Sequence, residues 1–217
     1  MINELFTSPL SFLVFFAALT VTIAIHEFFH AWVADRLGDP TARLAGRLTL
    51  NPLVHIDIVG LLFLFFVGFG WGKPVPFDPY NLKNPRKDAA LISVAGPLSN
   101  FILAVLLSLL LRLFIFFNLS FLFTIGNLIF VPLITINLIL GFFNLLPIHP
   151  LDGFKIVGGF LPDEKAEEWY SLERFGYIFL LMLILPLGNS SMLDLLIKPV
   201  FYFFLKLLLP FSLTGVI

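Results

Sequence analysis

The segment Leu10–Ile25 carries no charged side chain, and Ser11, Thr20 and Thr22 are its only polar ones. It runs without a break into His26-Glu27-Phe28-Phe29-His30, which places two imidazoles and a carboxylate at the end of an apolar helix. A run of ~20 apolar residues is what a ~30 Å hydrocarbon core demands of a spanning helix. Ionisable groups at that depth are costly unless paired, metal-bound or facing water, so the sequence predicts a functional site there. The spacing predicts which kind. Residues i and i+4 share one helix face, so His26 and His30 can hold one ion. Glu27, turned by roughly 100° from His26, is better placed to touch a water than to be a ligand. A chance match is disfavoured, because the chain has only 4 histidines and the pattern interrupts an uncharged span.

Composition narrows the setting. The 217 residues are 59% hydrophobic and 12% charged, and the mean hydropathy is +1.00. Soluble domains carry about twice that charged fraction. The expectation is therefore an all-α polytopic membrane protein with the lipid bilayer as its solvent, one integral-membrane domain over 1–217. A net charge of −1 leaves no basic face, which argues against a nucleic-acid partner. With no cysteine, disulfides and thiolate ligands are excluded, and a zinc ion would have to be held by nitrogen and oxygen. Met1–Leu10 lacks the basic start of a cleaved signal.

The first helix is expected over about Ser8–Leu37, stopped by Gly38-Asp39-Pro40. Arg36, Arg43 and Arg47 follow it closely, which puts the metal motif toward the cytoplasmic side by the positive-inside rule. Leu44–Leu50 alternates enough to suggest a strand, and the apolar Leu61–Gly70 is too short to cross, so it reads as re-entrant. Val75-Pro76-Phe77 should be extended, because Pro74 and Pro76 bar a helix interior. Further spans are expected near Ala89–Phe117, with Gly96-Pro97 inside, and Phe121–Leu146. The broken stretch Asn144–Gly153 follows. Asp152 is the only carboxylate between Asp88 and Asp163. A lone Asp between apolar spans needs a cation, and the zinc would supply one. Lys155–Arg174 reads as a solvated loop with a short helix. Gly176–Leu187 and Met192–Leu213 add two apolar runs, for about five to six transmembrane helices with a short β or re-entrant segment between the first two full spans. The core would be 8–160, with additional membrane helices over 175–217. His149 is a rival ligand or a partner of Asp152. His55, with no third ligand near it and Asp57, is better read as a loop-stabilising hydrogen-bond donor.

With these residues in view the chain resembles the site-2 protease family of intramembrane zinc metalloproteases. The resemblance rests on His26-Glu27-Phe28-Phe29-His30, Asn51-Pro52-Leu53-Val54-His55-Ile56-Asp57, Gly72-Lys73-Pro74-Val75-Pro76, Ala95-Gly96-Pro97-Leu98-Ser99-Asn100, Phe143-Asn144-Leu145-Leu146-Pro147 and Leu151-Asp152-Gly153. It implies that His26, His30 and Asp152 ligate one zinc ion, that Glu27 is the base, and that Asn144 holds the substrate carbonyl or developing oxyanion. It also implies a minimal member without PDZ or nucleotide-sensing domains. Its substrates would be transmembrane proteins and its location the plasma membrane of a prokaryote. A zinc or proton transporter using the same ligands is the alternative, and the non-ligand Glu27 beside His26 favours hydrolysis.

Overall fold

The computed structural model describes residues 7–67, 70–185 and 191–210. Among these residues, three helices are long and apolar enough to cross a membrane: α1 (Pro9–Leu37), with α2 the four-residue turn Thr41–Leu44 behind it, then, after the ten-residue α3 (Ile58–Val67), α4 (Pro85–Phe116) and α5 (Ser120–Asn144). Proline at the first turn opens α1 and α4, where a missing N–H costs nothing. Gly38, at φ 109°, closes α1 in the left-handed conformation that glycine adopts without strain. Downstream lie α6 (Asp152–Phe160), α7 (Asp163–Ser171), α8 (Gly176–Ile184) and α9 (Met192–Leu208).

The centre of the bundle is the packing of α4 against α5, α1 and α6. On the far side from the histidines, Ala104 and Leu111 of α4 meet Val131, Ile134 and Leu138 of α5 and Phe201 and Leu205 of α9 in one buried cluster. The last carbonyls of α9 have no partner within their own helix. The Ser108 hydroxyl and the Arg112 guanidinium of α4 donate to them, at Leu208 and Leu207 respectively. That docks α9 with polar contacts inside an apolar contact.

Two sequence expectations are corrected here. Leu44–Leu50 is not a strand: the segment is a helical turn followed by Gly46 at φ 69°, and Leu44 and Leu50 are exposed. No neighbouring chain offers a row of hydrogen bonds, and an alternating pattern without a partner does not make a sheet. Among the described residues there is no strand, and Ile56 and Gly72 form an isolated antiparallel bridge. Among the described residues, three helices meet the length and apolarity needed to cross. Helix α8, with 9 residues, covers only about 14 Å at ~1.5 Å per residue. The Lys155–Arg174 stretch, expected as a loop with one short helix, instead holds most of α6 and all of α7. Gly159 makes this packing possible, because a Cβ there would lie 2.3 Å from Ala90 of α4.

The short apolar run is helical as α3, and the chain returns beside it. A Cβ on Gly60 would lie 2.2 Å from the Trp71 carbonyl oxygen, and one on Gly70 would lie 2.4 Å from that of Gly60. Glycine at both places lets the returning backbone touch the helix. The segment after it, from Gly72 to Asp78, is non-helical and crosses the face of α1 that carries Glu27.

Candidate metal centre

Three ligand atoms converge where α1, α4 and α6 meet. The Nε2 atoms of His26 and His30 lie 2.9 Å apart, and each is 3.2 Å from Oδ2 of Asp152. Asp152 is the first residue of α6 and is carried there by the break at Asn144–Gly153. A Cβ on Gly153 would fall 2.3 Å from the Leu145 carbonyl oxygen, so only glycine lets the chain turn tightly enough to point Asp152 at α1. Gly96 does the same from α4. A Cβ there would lie 2.3 Å from Nε2 of His30 and 2.6 Å from Cε1 of His26, so the α4 backbone forms a wall against both rings.

The protons decide what the cluster can hold. Nδ1 of His30 faces the Ile92 carbonyl at 2.7 Å, and Nδ1 of His26 faces Oδ1 of Asn100 at 2.6 Å. Both partners are acceptors, so each Nδ1 is the donor, and each neutral ring turns an unprotonated Nε2 inward. Oδ2 of Asp152 is buried without a hydrogen-bond partner. Three lone pairs thus meet with no proton between them, an arrangement that repels itself unless a cation sits there. The edges of 2.9–3.2 Å come close to the ~3.3 Å separating ligands at ~2.0–2.1 Å from a tetrahedral ion. The residues therefore fit a metal ion of zinc's size and N/O preference, and they form the His-His-carboxylate group able to hold one among the described residues.

Around this group opens a cavity of about 810 Å³, lined by Glu27 and Asn144 as well as by all three candidate ligands. Glu27 accepts a hydrogen bond from the Val75 N–H at 2.8 Å, which ties the extended segment to that face of α1. That segment is held from below. Lys73 N–H donates to the His55 carbonyl at 2.8 Å, and Arg47 donates to the Lys73 carbonyl at 2.5 Å. Arg47, which the sequence offered only as a flanking charge, is 6% exposed, with its guanidinium lodged under this segment. Burial pushes it below the ordinary arginine range, and the nearby Glu27 charge pulls it back up. His55 is fully buried, with Nε2 facing the Thr49 carbonyl and Nδ1 facing Arg47, which is a loop-holding role. His149 stands apart from the ligand group, against Glu173, Phe154 and Tyr177. One N–H of the Asn144 amide is donated to Leu140 at 3.0 Å.

Sequence reading missed Asn137. It is fully buried on α5 and bonds Asn100 and Thr22. A buried Asn in an apolar helix was the available signal, since such a residue requires partners.

Apolar helices long enough to cross a membrane, enclosing a group that could hold a metal in a cavity that Glu27 also lines, define a membrane metallohydrolase. The chain belongs to peptidase family M50, whose sequence profile matches residues 14–125 and 123–183. A Bacillus subtilis protein named "Putative zinc metalloprotease YwhC" is 40% identical over 186 residues, covering 83% of this chain and 85% of its own length. "Putative zinc metalloprotease Rip2" of Mycolicibacterium smegmatis is 30% identical over 206 residues, covering 89% and 73%. "Zinc metalloprotease MJ0392" of Methanocaldococcus jannaschii is 25% identical over 184 residues, covering 85% and 42%. No solved structure matches the chain significantly. This is a zinc metalloprotease by family, and its substrates are proteins.

Proposed function

We propose that the chain is an intramembrane zinc endopeptidase that cuts other proteins in or near their transmembrane segments. The observation that carries this reading is the convergence of two Nε2 lone pairs and an orphaned carboxylate oxygen, beside Glu27, inside a cavity walled by apolar helices. In this reading His26, His30 and Asp152 hold one zinc ion, which supplies Lewis acidity and activates a water at neutral pH. Glu27 would take a proton from the attacking water and pass it to the leaving amine. Asn144 keeps one amide N–H on Leu140 and has a second to offer a substrate carbonyl as negative charge develops on it.

A helical substrate hides its carbonyls, so it must unwind before attack. The extended Val75–Phe77 stretch, beside Glu27, is the backbone available to pair with the unwound segment. The chain forms one integral-membrane domain over 1–217, and the site faces the cytoplasmic side of a prokaryotic plasma membrane. Arg36 and Arg43 at the end of α1 support that orientation.

The test compares zinc-loaded chain with Glu27→Gln on a set of helical membrane substrates in detergent or vesicles. Wild type should cleave, and the variant should be slower by about 10²–10⁴-fold while keeping its metal. Equal cleavage by the two would overturn the proposal, and zinc flux surviving in the variant would favour a transporter.

A further inference from the structure

The two imidazoles are oriented by different means. Nδ1 of His30 meets the Ile92 carbonyl, a backbone group that α4 fixes. Nδ1 of His26 meets a side-chain amide, which could in principle present either its oxygen or its nitrogen. What settles the matter lies two residues further back. The Leu133 carbonyl can only accept, so the nitrogen of Asn137 must be the atom 2.8 Å from it, and that same nitrogen donates to Oγ1 of Thr22 at 2.9 Å. The Asn137 oxygen is then turned the other way and accepts from Nδ2 of Asn100 at 2.8 Å. Asn100 has thereby spent its nitrogen, and its oxygen faces His26 at 2.6 Å. The His26 proton must sit on Nδ1, and the Nε2 lone pair points at Asp152.

Thr22, Asn100 and Asn137 are all fully buried, so water offers no alternative partners. We propose that Asn137, acting through Asn100, is a positioning residue that sets the tautomer of His26 and so tunes the affinity of the metal centre. The inference rests on the reading that this centre holds zinc. The relay spans α1, α4 and α5, so it makes metal affinity depend on how the three candidate spans pack. Outer hydrogen-bond partners of metal-bound histidines typically contribute 10–100-fold in affinity.

The experiment measures zinc affinity by competition with a chelating dye, on the Glu27→Gln background so that self-cleavage does not interfere. Asn137→Leu and Asn100→Leu should each weaken binding about 10–100-fold. Ser108→Ala, which removes a buried hydrogen bond remote from the histidines, should lower thermal stability but leave zinc affinity unchanged. Unchanged affinity in Asn137→Leu overturns the relay alone, as does an equal loss in Ser108→Ala, which would reveal only general packing. A parent that binds no zinc overturns the metal reading and the relay with it. Should the leucine variants fail to fold, nitrogen NMR of the histidine-labelled parent decides. A proton on Nδ1 of His26 supports the relay, and a proton on Nε2 contradicts it.

Discussion

The cavity has two unlike walls. One is built from α1, α4 and α6, where Ala24, His26, His30, Ala95 and Gly96 are buried, small residues bring the backbones close, and Nδ1 of each histidine is held by an acceptor. The other is built from α3 and α8. Of α3 only Gly60 is buried, and Phe66 and Val67 are 75% and 68% exposed. Helix α8 contributes Tyr177, Leu180, Leu181 and Ile184 to the lining, yet Tyr177, Ile178, Leu181 and Met182 are exposed. Chemistry requires ligand atoms held to a few tenths of an ångström, and the first wall has the interlocking to do that. Admitting a chain from lipid requires a boundary that can part, and the second wall, with few buried contacts, belongs to the low-stability end of the fold.

The contrast predicts unequal responses to equally small changes. The largest effect is expected from Gly96→Ala. Its new methyl would overlap the His30 and His26 rings, so bound metal and cleavage should both be lost, as metal analysis and a peptide assay would show. If Gly96→Ala kept full metal, the first wall would be softer than its packing implies.

Next comes Gly60→Ala, equally tight on paper but on the second wall. It should keep metal stoichiometry and short-peptide cleavage, while cleavage of full-length membrane substrates changes several-fold. Metal loss there would erase the distinction between the walls.

A smaller effect is expected at Asp39, outside both walls. Its buried carboxylate accepts from Thr41, from the Asp78 N–H and from Asn81, and so pins the end of α1 to the chain entering α4. Burial pushes its pKa up, but the hydrogen bonds outweigh that and hold it below the ordinary carboxylate value. A depressed folded-state pKa adds stability that is present above the unfolded value and lost as pH falls through the folded one. Thermal unfolding should therefore show an acid-side loss that is smaller in Asp39→Asn. An identical acid profile in the variant would remove Asp39 as its source.

The smallest effect is expected from Phe66→Leu, on the exposed face of α3. Unfolding stability should change by less than about 0.5 kcal/mol and zinc content not at all. A large loss would mean that this face is packed.

The candidate metal group was legible in the sequence because it is local chemistry against an apolar background. His26 and His30 share a helix face by spacing, and Asp152 is the one carboxylate between Asp88 and Asp163. Helices α1, α4 and α5 were legible because length and hydropathy dominate in lipid. Leu44–Leu50 misled because alternation describes a face without supplying a partner strand. Arg47 misled because its burial depends on the Lys73 carbonyl, 26 residues away, which periodicity does not encode. Asn137 stayed hidden for the same reason. Its meaning appears only when Thr22, Asn100 and Leu133 are brought around it.

The most direct measurement is zinc per chain in purified protein, wild type against Asp152→Ala, after exhaustive dialysis. One equivalent in the wild type and close to none in the variant is the expected result, since removing Oδ2 leaves only two nitrogens facing the ion. A full equivalent retained by Asp152→Ala, or none bound by the wild type, would contradict a metal centre shared between α1 and α6.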